Sequence, residues 1–517
     1  MTTPAAPESA RPASAAPERS EQELVRRDNL GKIAAAGLEA YPAEAFPPSH
    51  LAADVVAGFS ESTKDDYARV RLAGRVMSQR VMGKASFLEL QDSSGRIQLY
   101  VSRDDIAPGE DKSLYNAVVK KALDLGDFIG VEGFVFATRT GETTLHVESF
   151  RFLGKSLRPL PVVKREDDGT VHDAFTDPEL RYRMRYVDLT VNPHRKGIFV
   201  KRNRVIRTIQ GFLDARGMME VETPILQPIH GGAAARPFAT HHNALDVPLY
   251  LRIANELYLK RLIVAGFDGV YEIGKMFRNE GMDRTHNPEF TMMELYVAYQ
   301  DYYWMMGLTE ALLGEVAEAV TGQRVVTYQG TAIDFGGPFR RLPILDAIEE
   351  YGDIEIKGLD EEGLRAVAKT KGLHLDESAG YGKIVDELFG ELVEPHLIQP
   401  TFVTDYPVEM SPLTKKHRAK PGLVERFELI VNGKEIANAY TELNDPIDQR
   451  ARFEEQLRLA ARGDDEAMAL DEDFLRALEY GMPPTTGIGF GIDRITMLMT
   501  DQTSIQEVLF FPQMRPE

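Results

Sequence analysis

Val270–Tyr296 reads VYEIGKMFRNEGMDRTHNPEFTMMELY. Apolar and polar residues alternate on both sides of a polar, glycine-bearing stretch, so the spacing predicts two antiparallel strands joined by a long loop. Such a loop can carry Arg278, Glu280, Arg284 and His286 to one ligand. Phe290 returns in the second strand, where an aromatic face can stack on a base. An arginine at a strand end grips phosphate through a planar fork of donors that lysine lacks. FRNE by itself also suits an ordinary charged hairpin.

Upstream, Val200–Leu226 (VKRNRVIRTIQGFLDARGMMEVETPIL) places apolar residues at helical spacing before Gly217, a short extended run and Pro224. Downstream, Gly487–Met499 (GIGFGIDRITMLM) alternates glycines with apolar residues. On a strand, one of its faces is then bare backbone open to a flat ligand or another chain element, and the other face is core. Arg494 enters an apolar helix just after it. Taken singly, the first segment suits a surface helix and strand, and the second suits close packing.

From Arg69 to Phe152, five short β-branched and aromatic runs separated by glycine turns, with a helix-like segment between Tyr115 and Leu125, fit a small closed barrel of the OB type. Residues 1-19 are expected to form a loose tail, since thirteen of the first twenty are Ala, Pro or Ser. Ser20 and Glu23 read as a capping box opening a helix through Leu24, Leu30 and Ile33. The expected order is therefore the tail, a helical segment at 20-64, the barrel at 65-155, a linker at 156-180 and one large α+β domain at 181-517. Within that domain, an amphipathic helix starts at Asp301, and an insertion at about 333-405 separates core strands.

The 517 residues carry 60 Lys+Arg against 80 Asp+Glu, a net charge of -20, which opposes non-specific coating of nucleic acid but allows local basic faces. Residues 181-216 hold ten Lys/Arg, and Arg69, Arg71, Arg75, Arg80 and Lys84 crowd the first barrel strands. These cations can meet phosphates or support the fold. The absence of cysteine excludes disulfides, thiolate nucleophiles and cysteine-zinc sites, and it fits a reducing cytoplasm. No stretch approaches the roughly eighteen apolar residues of a membrane helix. GKS at 154-156 has Ser149 where a phosphate loop needs its first glycine, and GxGxxG, HExxH and GxSxG signatures are missing. Nucleotide handling must then rest on placed charges.

Together and in this order, the three segments resemble motifs 1, 2 and 3 of the class II aminoacyl-tRNA synthetases. HGGAAARPF, RIANELYLKRL, HNPEFTMMELY and EIANAYTELND are similar to the lysine-specific bacterial branch in particular, and the likeness covers roughly 65-517. It implies an OB barrel that reads an anticodon, an antiparallel-sheet catalytic domain with flanking helices, and a cytoplasmic homodimer whose contact includes the Pro224 segment. The implied reaction joins L-lysine to the 3′ end of tRNA(Lys) through a lysyl-adenylate, with ATP as substrate and Mg²⁺ as cofactor.

Position by position, the resemblance assigns Arg278 to the α-phosphate, Glu280 to the adenine amino group and His286 to the pyrophosphate end. Asn287 lies beside the nucleotide, and Phe290 and Arg494 lie on its two adenine faces. Glu428 and Glu435 match carboxylates that hold Mg²⁺, and their oxygens suit a hard cation. Glu256 and the Gly231 backbone are implied for the substrate α-ammonium and Asn438 for its carboxylate. Glu442, Glu294 and Tyr296 are implied for the ε-ammonium, and Tyr440 for the alkyl stem. In the barrel, Phe87, Gln98 and Glu142 are implied for the anticodon, with Phe87 as plain barrel core the alternative. Two rival functions share the catalytic fold. A non-catalytic tRNA-binding paralogue would have lost phosphate or metal residues, and an enzyme lysylating a protein would lack the barrel.

Overall fold

The computed structural model describes residues 19–161, 164–165, 171–172, 175–233, 235–376, 379–461 and 469–516. The expected tail therefore lies, except for Arg19, outside the described residues, as does much of the linker. The chain forms two compact units, Met1–Phe175 and Thr176–Glu517.

The first unit opens with α1 (Glu21–Ala35), whose start is the capping box expected at Ser20: its Oγ accepts from the Glu23 backbone, and the Glu23 carboxylate accepts from the Ser20 backbone. The helix runs through Leu24, Leu30 and Ile33 as expected, with Leu24 half-exposed and Ile33, Asn29 and Arg26 buried. After α2 (Ala52–Gly58) come β1 (Val70–Met82), β2 (Ala85–Gln91), β3 (Arg96–Ser102), the short α3 (Arg103–Ile106), a π-helical segment (Leu114–Val119), β4 (Phe128–Ala137) and β5 (Thr143–Gly154). The five strands close into a barrel in the order β1-β2-β3-β5-β4. Alternation sends Leu88, Leu90, Ile97, Leu99 and Val101 inward, where Ile33, Ala52 and Val55 of the preceding helices join them. The β4–β5 register shifts at Glu132/Gly133, and there a Cβ on Gly133 would meet the His146 carbonyl at 1.8 Å. Two short strands, β6 (Lys164–Arg165) and β7 (Val171–His172), pair within the linker region.

In the second unit, Asp177 caps α4 (Pro178–Arg183), so ordered structure begins within the expected linker. Next come α5 (Arg185–Val191), α6 (Lys196–Asp214), β8 (Met219–Glu220), β9 (Leu226–Gln227), β10 (Ala239–His242), β11 (Val247–Leu251), α7 (Glu256–Val264), β12 (Gly269–Phe277) and β13 (Glu289–Ala298). They are followed by α8 (Tyr302–Thr321), β14 (Val325–Tyr328), β15 (Thr331–Asp334), β16 (Arg340–Pro343), α9 (Ile344–Gly352), α10 (Glu361–Thr370), α11 (Tyr381–Leu392) and β17 (Thr401–Thr404). The unit ends with β18 (Arg426–Ile430), β19 (Glu435–Thr441), α12 (Pro446–Ala461), α13 (Glu472–Glu479), β20 (Thr485–Gly491), α14 (Ile492–Thr500) and α15 (Ile505–Val508).

Eight strands form the central sheet in the order β16-β17-β18-β19-β20-β13-β12-β8. Its six inner strands are antiparallel, and the pairs β16/β17 and β12/β8 at its two edges are parallel. One face packs on α6, α8 and α14 through Ile209, Phe212, Leu312, Val316, Ile495 and Leu498, against Tyr271, Met293, Leu295, Ile488, Phe490 and Phe427. Helix α8 starts where expected, with Asp301 accepting from the Tyr303 and Trp304 backbones. It is less one-sided than expected, since eleven of its twenty residues are buried. The span 333-405 also differs from expectation. Its ends β16 and β17 are strands of the sheet itself, and only α9–α11 stand apart, packing a separate core of Ile348, Leu364, Val385 and Leu388 on Val403 and Ile430.

Candidate functional site

The strand register explains why residues scattered from 256 to 494 meet. On β13, Met293, Leu295 and Val297 face the helix layer, so Phe290, Met292, Glu294 and Tyr296 take the opposite face. Two ladder rows then cross that face. One runs Glu272, Glu294, Gly489, Asn438, Glu428, and the next runs Val270, Tyr296, Gly487, Tyr440, Arg426. The glycines of β20 sit in the middle of each row. The bare face expected there is filled by neighbouring side chains: a Cβ on Gly487 would meet Glu442 Oε1 at 2.3 Å and the Tyr296 ring at 2.4 Å, and one on Gly489 would meet Met292 at 2.7 Å.

At one end of the face lies an acidic pocket. Glu256 is 3% exposed, Glu294 3% and Glu442 1%. Tyr296 donates to Glu294 at 3.0 Å, Tyr440 donates to Glu256 at 2.5 Å, and the Asn255 backbone donates to Glu294 at 3.3 Å. Burial and the nearby charge of Glu256 push the Glu294 carboxyl up to about 7, against the pull of the Asn255 and Tyr296 hydrogen bonds and of Arg278. Glu442 is likewise pushed well above the carboxylate range by burial, and Lys260 opposes the rise. The ammonium of Lys260, 0% exposed, forms ion pairs with both Glu256 and Glu442. Gly231 is buried nearby, where a Cβ would meet Leu257 at 3.0 Å. Glu272 does not join the pocket, because Arg252 at 2.5 Å and Thr223 at 2.6 Å engage its carboxylate.

At the other end are the residues expected at the nucleotide. The Arg278 guanidinium stands 5.2 Å from the Phe290 ring centroid, and its Nε is buried without a hydrogen-bond partner among the described residues. Burial lowers Arg278 from the ordinary arginine range, partly offset by Glu435, Glu280 and Glu294. Glu280 is exposed at the start of the loop. Arg494 reaches the Glu435 carbonyl at 2.7 Å, its carboxylate at 3.5 Å and His286 Nε2 at 3.2 Å. His286 Nδ1 lies 2.8 Å from Asp283, so with Nδ1 as donor its Nε2 is free to accept from Arg494. Asn287 turns out to be committed to the backbone, donating to the Glu289 carbonyl and accepting from Gln513 at 3.2 Å. Its amide braces the C-terminal segment.

Glu428 is held by Arg426 at 2.5 Å and by Asn438 at 3.4 Å. Burial raises its carboxyl to about 7, with Arg426 opposing and the charge of Glu435 adding to the rise. A buried carboxyl whose ionisation is made costlier by the charge of a second carboxylate fits a divalent cation, which would relieve that cost.

On the barrel, Phe87 alternates with the inward Leu88 and is half-buried on the outer face, which removes the core alternative. It lies 5.3 Å from Tyr100 and 5.4 Å from the Arg80 guanidinium. Gln98 is on the same face and accepts from Thr144 at 2.9 Å, while Glu142 is exposed at the β4–β5 turn. The aromatic surface extends beyond the expected residues. Tyr100 lies 5.1 Å from His146, which stacks on Phe134 at 4.7 Å and stands 6.1 Å from Phe136. The alternation in GFVFA was the available signal.

Of the cations that could meet phosphates or support the fold, several support the fold. Arg181 and Arg185 are buried on Asp188, and Arg202 pairs with Asp493 at 2.6 Å, whereas Arg69 makes only a surface ion pair with Glu132. Arg75 donates to the Gly126 carbonyl and covers Phe128 at 4.2 Å.

An antiparallel sheet backed by helices, crossed by a row of carboxylates and flanked by a loop arginine and a helix arginine, is the catalytic architecture of a class II aminoacyl-tRNA synthetase. Residues 177–515 match the family described as tRNA synthetases class II (D, K and N), and the chain belongs to that family. Residues 70–153 match an OB-fold nucleic acid binding domain. Among its relatives, the lysine–tRNA ligase of Porphyromonas gingivalis is 60% identical over 500 residues, covering 97% of this chain and 86% of that protein. That of Christiangramia forsetii is 60% identical over 96% of this chain and 87% of its own length, and that of Azobacteroides pseudotrichonymphae is 55% identical over 96% and 99%.

Proposed function

We propose that the chain is an ATP-dependent lysine–tRNA ligase. The observation carrying this reading is the buried trio Glu256, Glu294 and Glu442 beside the aromatic walls of Tyr296 and Tyr440. Such a pocket suits an amino acid with two ammonium groups on an apolar stem. Glu256 and the Gly231 backbone meet the α-ammonium, and Asn438, oriented by Arg426 at 3.1 Å, meets the carboxylate. Glu294, Tyr296 and Glu442 meet the ε-ammonium, with Tyr440 along the stem.

The substrate's carboxylate is itself the nucleophile, so activation calls for alignment and charge neutralisation more than for a protein base. Arg278 opposes the charge growing on the α-phosphate. Phe290 and Arg494 hold the adenine, Glu280 meets its amino group, and His286 faces the pyrophosphate. Asn287 supports this end through the backbone. Glu428 and Glu435 would hold Mg²⁺, which would neutralise phosphate oxygens. Lysyl-adenylate and pyrophosphate form first, and the lysyl group then passes to the terminal ribose of tRNA(Lys), releasing AMP. Phe87, with Gln98 and Glu142, contacts the anticodon, and Tyr100 and His146 extend its stacking surface.

Pairing of two copies through the Pro224 segment is supported by half-exposed Met219, Ile225 and Leu226 around it. Among the described residues, no helix is long and apolar enough to cross a membrane. We assign the protein to the cytoplasm, where tRNA is charged. Pyrophosphate exchange with each of the twenty amino acids, with and without Mg²⁺, tests the reading. Exchange with lysine alone, dependent on Mg²⁺, is expected, and exchange with any other amino acid in its place would refute it.

A further inference from the structure

Lys260 has no part in the roles assigned above, yet it is among the largest fully buried side chains of the molecule. It lies one turn after Glu256 on α7, and its ammonium joins Glu256 Oε1 to Glu442 Oε2. The same ammonium stands 5.6 Å from the Tyr440 ring centroid and 5.8 Å from that of Phe474 on α13. A lysine needs this much compensation to stay charged away from water. Burial works against its charge and the two carboxylates restore it, so that its titration lies above the ordinary lysine range.

The groups facing this cluster come from four directions. Glu256 belongs to α7, and Tyr440 and Glu442 lie on and just beyond β19. Glu294 and Tyr296 come from β13, and Arg278 acts on Glu294 from the loop before it. On the α13 side, Arg261 is already paired with Asp471 at 2.8 Å and Asp473 at 3.2 Å. Among the described residues, Lys260 is the cation in contact with this trio, one against three carboxyl groups, which leaves negative charge for a ligand. Glu442 Oε1, next to Gly487, has no hydrogen-bond partner among the described residues, and Oε2 is the oxygen facing Lys260.

We propose that Lys260 is a positioning residue for amino-acid selection: its ammonium, shared by Glu256 and Glu442, offsets part of the trio's negative charge and aims both carboxylates for a diammonium substrate. The inference rests on the lysine reading of the pocket and adds a residue that touches the carboxylates from behind. Without the cation, the three buried carboxylates repel one another more strongly, and the trio takes up protons at higher pH than in the parent protein. Because an ammonium ligand needs the ionised form, the acid limb of kcat/KM for lysine then moves to higher pH.

The test is pyrophosphate exchange from about pH 5.5 to 9 with the full chain, Lys260→Met and Lys260→Arg, each checked for a cooperative melt. Lys260→Met is expected to raise the KM for lysine about tenfold or more at pH 7 and to move the acid limb up by about one pH unit, with kcat and the KM for ATP nearly unchanged. Lys260→Arg should keep the limb where the parent protein has it, because the charge remains. A parent-like limb in the Met variant, or an equal displacement in both variants, overturns the proposal and reduces Lys260 to packing. If the Met variant does not fold, Lys260→Gln carries the same expectation. If neither neutral variant folds, the limb in Lys260→Arg decides, supporting the proposal if retained and overturning it if displaced. A parent protein that exchanges with another amino acid instead of lysine would instead sink the reading of the pocket itself.

Discussion

In the proposed reaction, two side chains at opposite ends of the site divide the chemistry between them. Arg278 is held against Phe290 with a buried Nε that has no partner among the described residues, an arrangement with a donor in reserve for a phosphate. Arg278→Ala should slow adenylate formation by the equivalent of about 2.7–4 kcal/mol, the usual cost of removing one donor aimed at developing charge. Single-turnover measurement decides this, and a near-normal rate would remove Arg278 from the α-phosphate. Glu442 marks the other end. Its pairing with an incoming ammonium must offset a desolvation cost of several kcal/mol. Glu442→Gln keeps the shape and removes the charge, so kcat/KM for lysine should fall by about two powers of ten, roughly 3 kcal/mol, with ATP affinity little changed. Steady-state kinetics reads both numbers, and a large loss of ATP binding would move Glu442 to the metal end. Arg278 and Glu442 were both legible in the sequence because they sit inside recognisable strings. Lys260 sits in one too, at the i,i+4 spacing from Glu256 that favours an ion pair. Its partner Glu442 lies 182 positions away, and no local spacing announces that contact.

Strand β20 does for the elements what those residues do for the chemistry. Its glycines let Glu442 and Tyr296 lie across it, so the pocket's depth at that point is the width of a missing side chain. Gly487→Ala inserts a methyl group where oxygen and ring carbons already stand within 2.4 Å, so they must shift. Overpacking of this kind costs about 1–3 kcal/mol. The shift falls on the amino-acid end, so the lysine KM should rise well before the ATP KM does. Equal rises in both would mean that the strand itself had moved. Alternation made this strand and its neighbours readable, as it did the barrel strands. What alternation could not convey was which strand lies beside which. The ends of 333-405 were read as inserted chain because Arg340–Pro343 and Thr401–Thr404 are only four residues each, too short to show a period. Their place in the sheet comes from pairing with each other and of β17 with β18.

At the scale of the whole molecule, a protein of net charge -20 has to hold a polyanion. Basic composition overstated the free cations, because composition counts charges and not their partners: Arg181, Arg185 and Arg202 face buried carboxylates. The proposed route to tRNA is then a limited set of phosphate contacts together with stacking on the barrel's aromatic face, where Phe87, Tyr100, His146 and Phe134 form a continuous surface. The two steps of the reaction should therefore respond differently to salt. Adenylate formation takes place in a buried pocket whose ion pairs are poorly screened, whereas phosphate contacts release counterions and weaken steeply with ionic strength. Raising salt from about 50 to about 200 mM should lower kcat/KM for tRNA by a factor of ten or more while lysine-dependent pyrophosphate exchange changes by less than about twofold. Phe87→Ala should add its own loss to aminoacylation at every salt concentration, about 1–3 kcal/mol for one stacked base, and leave the salt slope unchanged because it removes no charge. The two assays run side by side on the parent protein and the variant separate these contributions. A parallel fall of both activities with salt would place the sensitive ion pairs in the catalytic unit, and a changed slope in the Phe87 variant would show that the ring orders Arg80 for a phosphate instead of receiving a base itself.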